Sequence, residues 1–327
     1  MEPPVLLTAR TAPLPQLQEL TVGMRRALLQ RGEHLSAGWP AEAAEDLRSG
    51  RLEGVVLQLR GEAAALGILS RRSHRAFGQV HVATAPERVS TAQATIDALR
   101  GALGPEIERL DVGLTGLTND EEEELGHRLQ EIPGFEVIHR FGLRRAVGLD
   151  APPDPPQVPA GWRFAPAREV ALEPLNRLDW EAFRGSPDAA FIADTPEANR
   201  RLIEGIVAGQ LGRFLEEASV AIVDAAGVPG GFILTVEESP RVGVIVDVAV
   251  DPAHRRLGLG RALMLRSLRA LLALGHTAAR LWVTDSNRPA RALYESLGFE
   301  ADATALIYRW RRSAPAPTAG PSPQTAR

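Results

Sequence analysis

Between Ala151 and Gly161 the chain reads APPDPPQVPAG. Proline fixes φ and donates no backbone hydrogen bond, so five prolines in eleven residues exclude this segment from a helix interior or a central strand. The 327-residue chain is therefore expected to fold as two near-equal domains, 1–150 and 162–312, joined by a linker over 151–161. From Ser313 onward, SAPAPTAGPSPQTAR has the composition of a disordered tail.

Hydrophobic periodicity gives both halves one order of elements. In the first, a strand near Val5 precedes helices over 14–31 and 40–49. Two strands over 54–60 and 63–71 follow, turned at Gly61, then a strand at 79–85, a helix at 90–103, a strand at 110–115, a helix at 119–130 and a strand after Gly134. In the second, helices over 170–183 and 197–208 lead to strands at 219–224 and 231–237. A strand, glycine loop and helix over 242–263 come next, then a strand at 279–284, a helix at 288–296 and a strand near 305–310. Val82-Ala83-Thr84-Ala85-Pro86 aligns with Val248-Ala249-Val250-Asp251-Pro252, and Gly134-Phe135-Glu136 with Gly298-Phe299-Glu300, which reads as an internal repeat. In that alignment Ala92 and Ala94 stand where the second half has Gly258 and Gly260, and Val89 stands for Arg255.

Composition removes several function classes. There is no cysteine, hence no disulfide, thiolate metal site or cysteine nucleophile, which fits a reducing cytoplasm. A net charge of −4 argues against a nucleic-acid partner, and no apolar run approaches the roughly 18 residues of a membrane span. MEPPVLLTAR has no basic stretch before its short apolar run, so no secretory signal is expected. All 37 basic residues other than histidine are arginine. The histidines His34, His74, His81, His127, His139 and His276 show no metal-ligand spacing, so no metal is expected.

Chemistry concentrates in VGVIVDVAVDPAHRRLGLGRAL, Val242 to Leu263. A helix N-terminus carries unpaired N–H groups and roughly +0.5 charge, and it binds phosphate. Arg255, Arg256 and Arg261 add full charges there, while Gly258 and Gly260 admit close approach of an anion to the backbone. The spacing fits neither a Walker loop nor a dinucleotide fingerprint.

Arg255-x-x-Gly258-x-Gly260 after Val248-Ala249-Val250, together with Asn287-Arg288-Pro289-Ala290 followed by Leu293-Tyr294 and Gly298-Phe299, resembles the GNAT superfamily of acyl-CoA-dependent N-acyltransferases. The resemblance covers residues 161–311 most fully and the first half more weakly. It implies an α/β (α+β) chain of two tandem folds, each a mixed, mostly antiparallel sheet flanked by helices, with a degenerate first copy and a catalytic second. It further implies acetyl-CoA as donor, held along Val248, Ala249 and Val250 as an added strand and at its pyrophosphate by the amides of Arg256, Leu257, Gly258, Leu259, Gly260 and Arg261. A main-chain N–H of that strand would polarise the thioester carbonyl. Asn287 would hold the coenzyme arm and Tyr294, two turns along the same helix face, would protonate the leaving thiolate.

Plainer roles stay open at this point: a strand-to-helix turn for the glycines, a helix N-cap for Asn287, a core tyrosine for Tyr294, surface charge for Arg255 and Arg256. For the general base, Val244 stands where many family members carry an acid. Asp247, the one charge in an apolar strand, is the candidate, with Glu237, Glu238 and Asp285 behind it and His254 nearer the phosphates. Asp179, Glu181, Asp188 and Asp194 hint at a cationic acceptor. The expected activity is acetyl transfer from acetyl-CoA to a primary amine of a small molecule by direct attack, in a monomeric pseudo-dimer or a homodimer. A non-catalytic acyl-CoA sensor or interaction module and a protein or peptide N-acetyltransferase are the alternatives. The tandem arrangement is similar to that of mycothiol synthase.

Overall fold

The computed structural model describes residues 4–30, 37–72, 74–83, 87–148, 152–189, 193 and 195–312. Thr84 to Pro86, His34, Ala151, Asp194 and the segment from Ser313 lie outside the described residues. Contacts divide the chain into Met1–Ile138 with Leu306–Arg327, and His139–Ala305.

In the first unit, β1 (Val5–Thr8), α1 (Leu14–Gln30) and α2 (Trp39–Ser49) precede β2 (Glu53–Leu59), β3 (Glu62–Arg72), β4 (Arg75–Val82), α3 (Arg88–Gly101), β5 (Arg109–Thr115), α4 (Asn119–Gln130) and the opening residues of β6 (Phe135–Ala146). Arg60 (φ 54°) and Gly61 (φ 81°) form the two-residue turn between β2 and β3. Two left-handed residues in a row match the right-handed twist of the flanking strands, so the hairpin expected at Gly61 closes there. Strands β1 to β5 are antiparallel neighbours except β4 and β5, which run parallel. A capping box ties Thr118 to Glu121 at the start of α4.

The second unit contains β7 (Arg163–Pro166), α5 (Leu172–Phe183), α6 (Pro196–Val207), β8 (Arg213–Phe214), β9 (Val220–Val223), β10 (Pro229–Ser239), β11 (Val242–Val250), α7 (Leu259–Ala273), β12 (Ala278–Thr284), α8 (Arg288–Ser296) and the start of β13 (Glu300–Arg311). Its sheet order is β6-β12-β11-β10-β9-β7, with only β11 and β12 parallel. Helix α7 buries Leu259, Leu263, Leu268 and Leu271 against one face, and α5 and α6 bury Leu175, Leu178, Ile203 and Ile206 against the other. Both units are thus mixed, mostly antiparallel sheets with helices packed on them, and β2 to β6 repeat the element order of β9 to β13.

The boundary differs from the one composition suggested. Residues 152–159 do run without helix or strand. However, Arg140 to Ala146 of β6 already pair along β12, and Ile307 to Arg311 of β13 pair with β5. Pairing moves the changeover to Ile138/His139 and returns the last strand to the first unit. The short strands β7 and β8 were also not anticipated, being too brief to show alternation.

Candidate active site

The ladder between β11 and β12 holds for Val242↔Ala278, Gly243↔Ala279 and Val244↔Arg280, and then stops. From Ile245 to Val250 that edge of β11 has no strand beside it among the described residues, while β10 stays paired on the other edge as far as Gly231↔Val250. Free N–H and C=O groups along a strand edge are ready partners for an extended ligand. A bulge accompanies the divergence: Leu234 pairs with Asp247 and Thr235 with Ile245, leaving Val246 as the extra residue. Bulges bend a strand and reset its side-chain alternation. Accordingly Val244 and Val246 pack toward α5 and α6, Ile245 toward α7, and beyond the bulge Ala249 faces α5 and α6 while Val248 and Val250 face α7.

The first unit's parallel pair stays together over its whole length, from Arg75↔Arg109 to His81↔Thr115. His81 Nδ1 lies 3.1 Å from Thr115 Oγ1, and burial, aided by the Arg88 charge, lowers the His81 pKa to about 4, so the imidazole is neutral. Gly116 (φ 92°) has no room for a side chain, since a Cβ would sit 2.0 Å from the Val82 carbonyl oxygen.

Just past β11, Asp251 accepts from the Ala253 N–H at 2.8 Å and turns the chain into α7. Arg256 (φ 64°) and Gly258 (φ 81°) are both left-handed, and Gly258 caps α7 with no side-chain acceptor. The backbone N–H groups of residues 255–261 donate to no described residue. Unbonded N–H groups at the positive end of a helix suit an anion, and α7 is 15 residues long. The predicted arginines divide. Arg256 is exposed, Arg255 donates to the Ala182 carbonyl of α5 at 2.7 Å, and Arg261 donates to Ser296 Oγ at 3.0 Å. Leu257 is exposed, Leu259 buried, and Gly260 lies against Leu293.

Tyr294 on α8 is buried, its ring 6.1 Å from that of Phe299, and its hydroxyl bonds to no described residue. Burial, then the charges of Asp188 and Asp247, push its pKa above the ordinary phenol value, so it stands protonated. Asn287 is the N-cap of α8, accepting from the Ala290 N–H at 3.4 Å, while its Nδ2 donates to Asp188 Oδ2 at 2.7 Å. Asp188 also accepts from the Thr284 N–H and Oγ1 at 3.0 and 2.6 Å, with Arg140 3.7 Å away. The capping role of Asn287 is therefore present, and its amide orientation is fixed by an acid.

Asp247 projects from β11 toward α5, where it meets Asp179. Burial, reinforced by the Asp179 charge, raises Asp247 well above the carboxylate range, with the Val248 N–H acting the other way. Burial likewise raises Asp179 to about 7, opposed by the hydrogen bond from Asn199 Nδ2 at 2.8 Å. The lesser base candidates are engaged elsewhere, Glu237 with Arg213 and His276, Glu238 with Arg280 and Asp285 with Arg291, and Glu181, one of the acids that hinted at a cationic acceptor, pairs with Arg184. His254 packs edge-on to Trp162 at 4.9 Å.

A single unit thus holds an open strand edge, a cradle of free N–H groups, a protonated phenol and a buried acid, and residues 172–299 match the Acetyltransferase (GNAT) family. The chain belongs to this family. A mycothiol acetyltransferase of Frankia alni is 32% identical to this GNAT chain over 237 residues, 68% of the chain and 66% of the relative. One from Thermomonospora curvata is 38% identical over 117 residues, 36% of the chain and 39% of the relative. Less than two thirds of either curated relative is spanned. A tandem GNAT protein from the clavulanic acid biosynthesis pathway shares the fold, with a TM-score of 0.58 at 15% identity over 96% of this chain and 99% of that one.

Asn199, Asn176 and Thr284 were not singled out from sequence. Asn176 and Asn199 stand on the core-facing sides of α5 and α6 beside Ile203 and Leu175, and polar residues within an apolar stripe are the signal that would have found them. Among the described residues no group of three or more His, Asp or Glu is placed to hold a metal, and no helix is long and apolar enough to cross a membrane.

Proposed function

We propose that the second unit transfers an acetyl group from acetyl-CoA to a primary amine of a small molecule by direct attack. One observation carries this reading: β11 parts from β12 immediately before a helix whose N-terminal N–H groups are unbonded. That arrangement fits an extended arm lying along Ile245 to Val250 and ending in a diphosphate at Arg256 to Arg261. Acetyl-CoA supplies the activated thioester.

Asp247 takes a proton from the incoming ammonium at its carboxylate, which burial and the neighbouring Asp179 make a better proton acceptor than an ordinary surface acid. Tyr294 gives its hydroxyl proton to the departing sulfur and recovers one from the same nitrogen. A C–N bond forms as the C–S bond breaks, one proton ends on the thiol and one leaves through Asp247. Asp188 keeps the Asn287 amide and Thr284 fixed beside Tyr294. The relatives' name, mycothiol acetyltransferase, makes small molecules the first acceptors to try. A screen of primary amines, read by thiol release from acetyl-CoA, tests the proposal. The chain has no cysteine to add background, and absence of release with every amine contradicts it.

A further inference from the structure

Two other buried acids are satisfied. Asp111 is paired with Arg309 at 2.5 Å and Arg109 at 3.1 Å, and Asp188 accepts from Thr284 and Asn287. The pair between β11 and α5 is different. Asp247 is 5% exposed and Asp179 0%, yet among the described residues no side chain donates to either oxygen of Asp247 or to Oδ1 of Asp179. The remaining oxygen of Asp179 shares Asn199 Nδ2 with Asn176 Oδ1, which lies 3.1 Å from that nitrogen. Facing the two acids are Asn199 from α6, Tyr294 from α8 and the Val248 N–H of β11, none of them a cation. Two neighbouring carboxylates in an apolar site cannot both ionise unless a proton or a cation comes between them.

We propose that Asp179 and Asp247 together form the subsite for the acceptor's ammonium group, with Asp179 a positioning residue that acts through Asp247. The inference rests on the reading that Asp247 meets the amine. Free of ligand, the pair holds one proton and one negative charge. An entering R–NH3+ neutralises that charge and passes one nitrogen proton to a carboxylate oxygen of Asp247. The freed lone pair makes the C–N bond, and the doubly protonated pair then releases a proton to solvent. Such a subsite selects a compact primary ammonium and rejects a quaternary one, which has no N–H to give.

Infrared spectroscopy of the full chain without coenzyme tests this. A protonated-carboxyl band is expected at pH 7, retained in Tyr294→Phe and weakened in Asp247→Asn, because one of the two acids is then gone while burial still favours the proton on Asp179. Ethylammonium should strengthen the band in the wild type, because the pair gains the nitrogen proton, tetramethylammonium at equal ionic strength should not, and Asp179→Asn should lose the ethylammonium response while still taking up CoA by calorimetry. No band at pH 7, or an identical response to both cations, overturns the proposal, and the wild-type spectra decide it even if Asp179→Asn fails to fold. Absence of CoA uptake by the wild type contradicts the transferase reading instead and leaves the infrared result standing.

Discussion

Replacing Tyr294 by phenylalanine separates a proton donor from a core aromatic, because the two roles predict opposite effects. The ring stays packed near Phe299, and the hydroxyl has no hydrogen bond among the described residues. Its removal breaks no bond among the described residues, so folding stability should be essentially unchanged. Tyr308 is the internal control: it is fully buried and its Oη donates to the Glu122 carbonyl at 2.9 Å, so Tyr308→Phe should lose about 1 kcal/mol. Turnover should move the other way. A positioned general acid is worth about 10²- to 10⁴-fold, or roughly 3–5 kcal/mol of barrier, so Tyr294→Phe should lose that much and Tyr308→Phe almost none. Urea unfolding and thiol release from acetyl-CoA measure the two quantities, with CoA affinity as the check on the site. Full turnover in Tyr294→Phe, or a stability loss matching that of Tyr308→Phe, refutes the assignment.

The raised pKa values of Asp179 and Asp247 set a pH trend in stability. An acid whose folded value lies above its unfolded value holds its proton more tightly when folded, so stability falls as pH rises from about 4 to about 7. Urea titrations should show wild type losing ground to Asp247→Asn over that window, and parallel curves contradict the pairing. Asp188→Ala leaves the Thr284 N–H and the Asn287 amide without their acceptor, and should cost about 3 kcal/mol in unfolding experiments. Gly258→Ala meets no atom within 4 Å but forces a Cβ into φ 81°, so about 1 kcal/mol of strain should appear in thermal unfolding, together with weakened CoA uptake.

The fold was legible because its signals are local. The Gly61 turn, the strand running into Gly258 and the Asn287 cap each follow from a few adjacent residues. The repeat gave the element order of both units. Strand pairing was not legible: β6 and β13 each divide between units, a long-range outcome that the proline-rich segment does not encode. The same limit applied to the site. Asp247 stood out as a lone charge in an apolar strand. Its partner Asp179 lies 68 positions earlier among other acids, and sequence alone did not distinguish it from the paired Glu181. Arg255 carries charge to the proposed phosphate site, and its guanidinium also ties the loop to the end of α5, a contact that only folding brings together. The bulge at Val246 also has no sequence mark, since every neighbouring position suits a regular strand.

The most direct test of the account is a titration of the ¹⁵N-labelled protein with CoA, following the amide resonances from Val248 to Arg261. The account predicts saturable uptake, with the largest shifts at Arg256 to Arg261 and at the unpaired edge of β11. No uptake at millimolar CoA, or shifts confined to other parts of the chain, contradicts it.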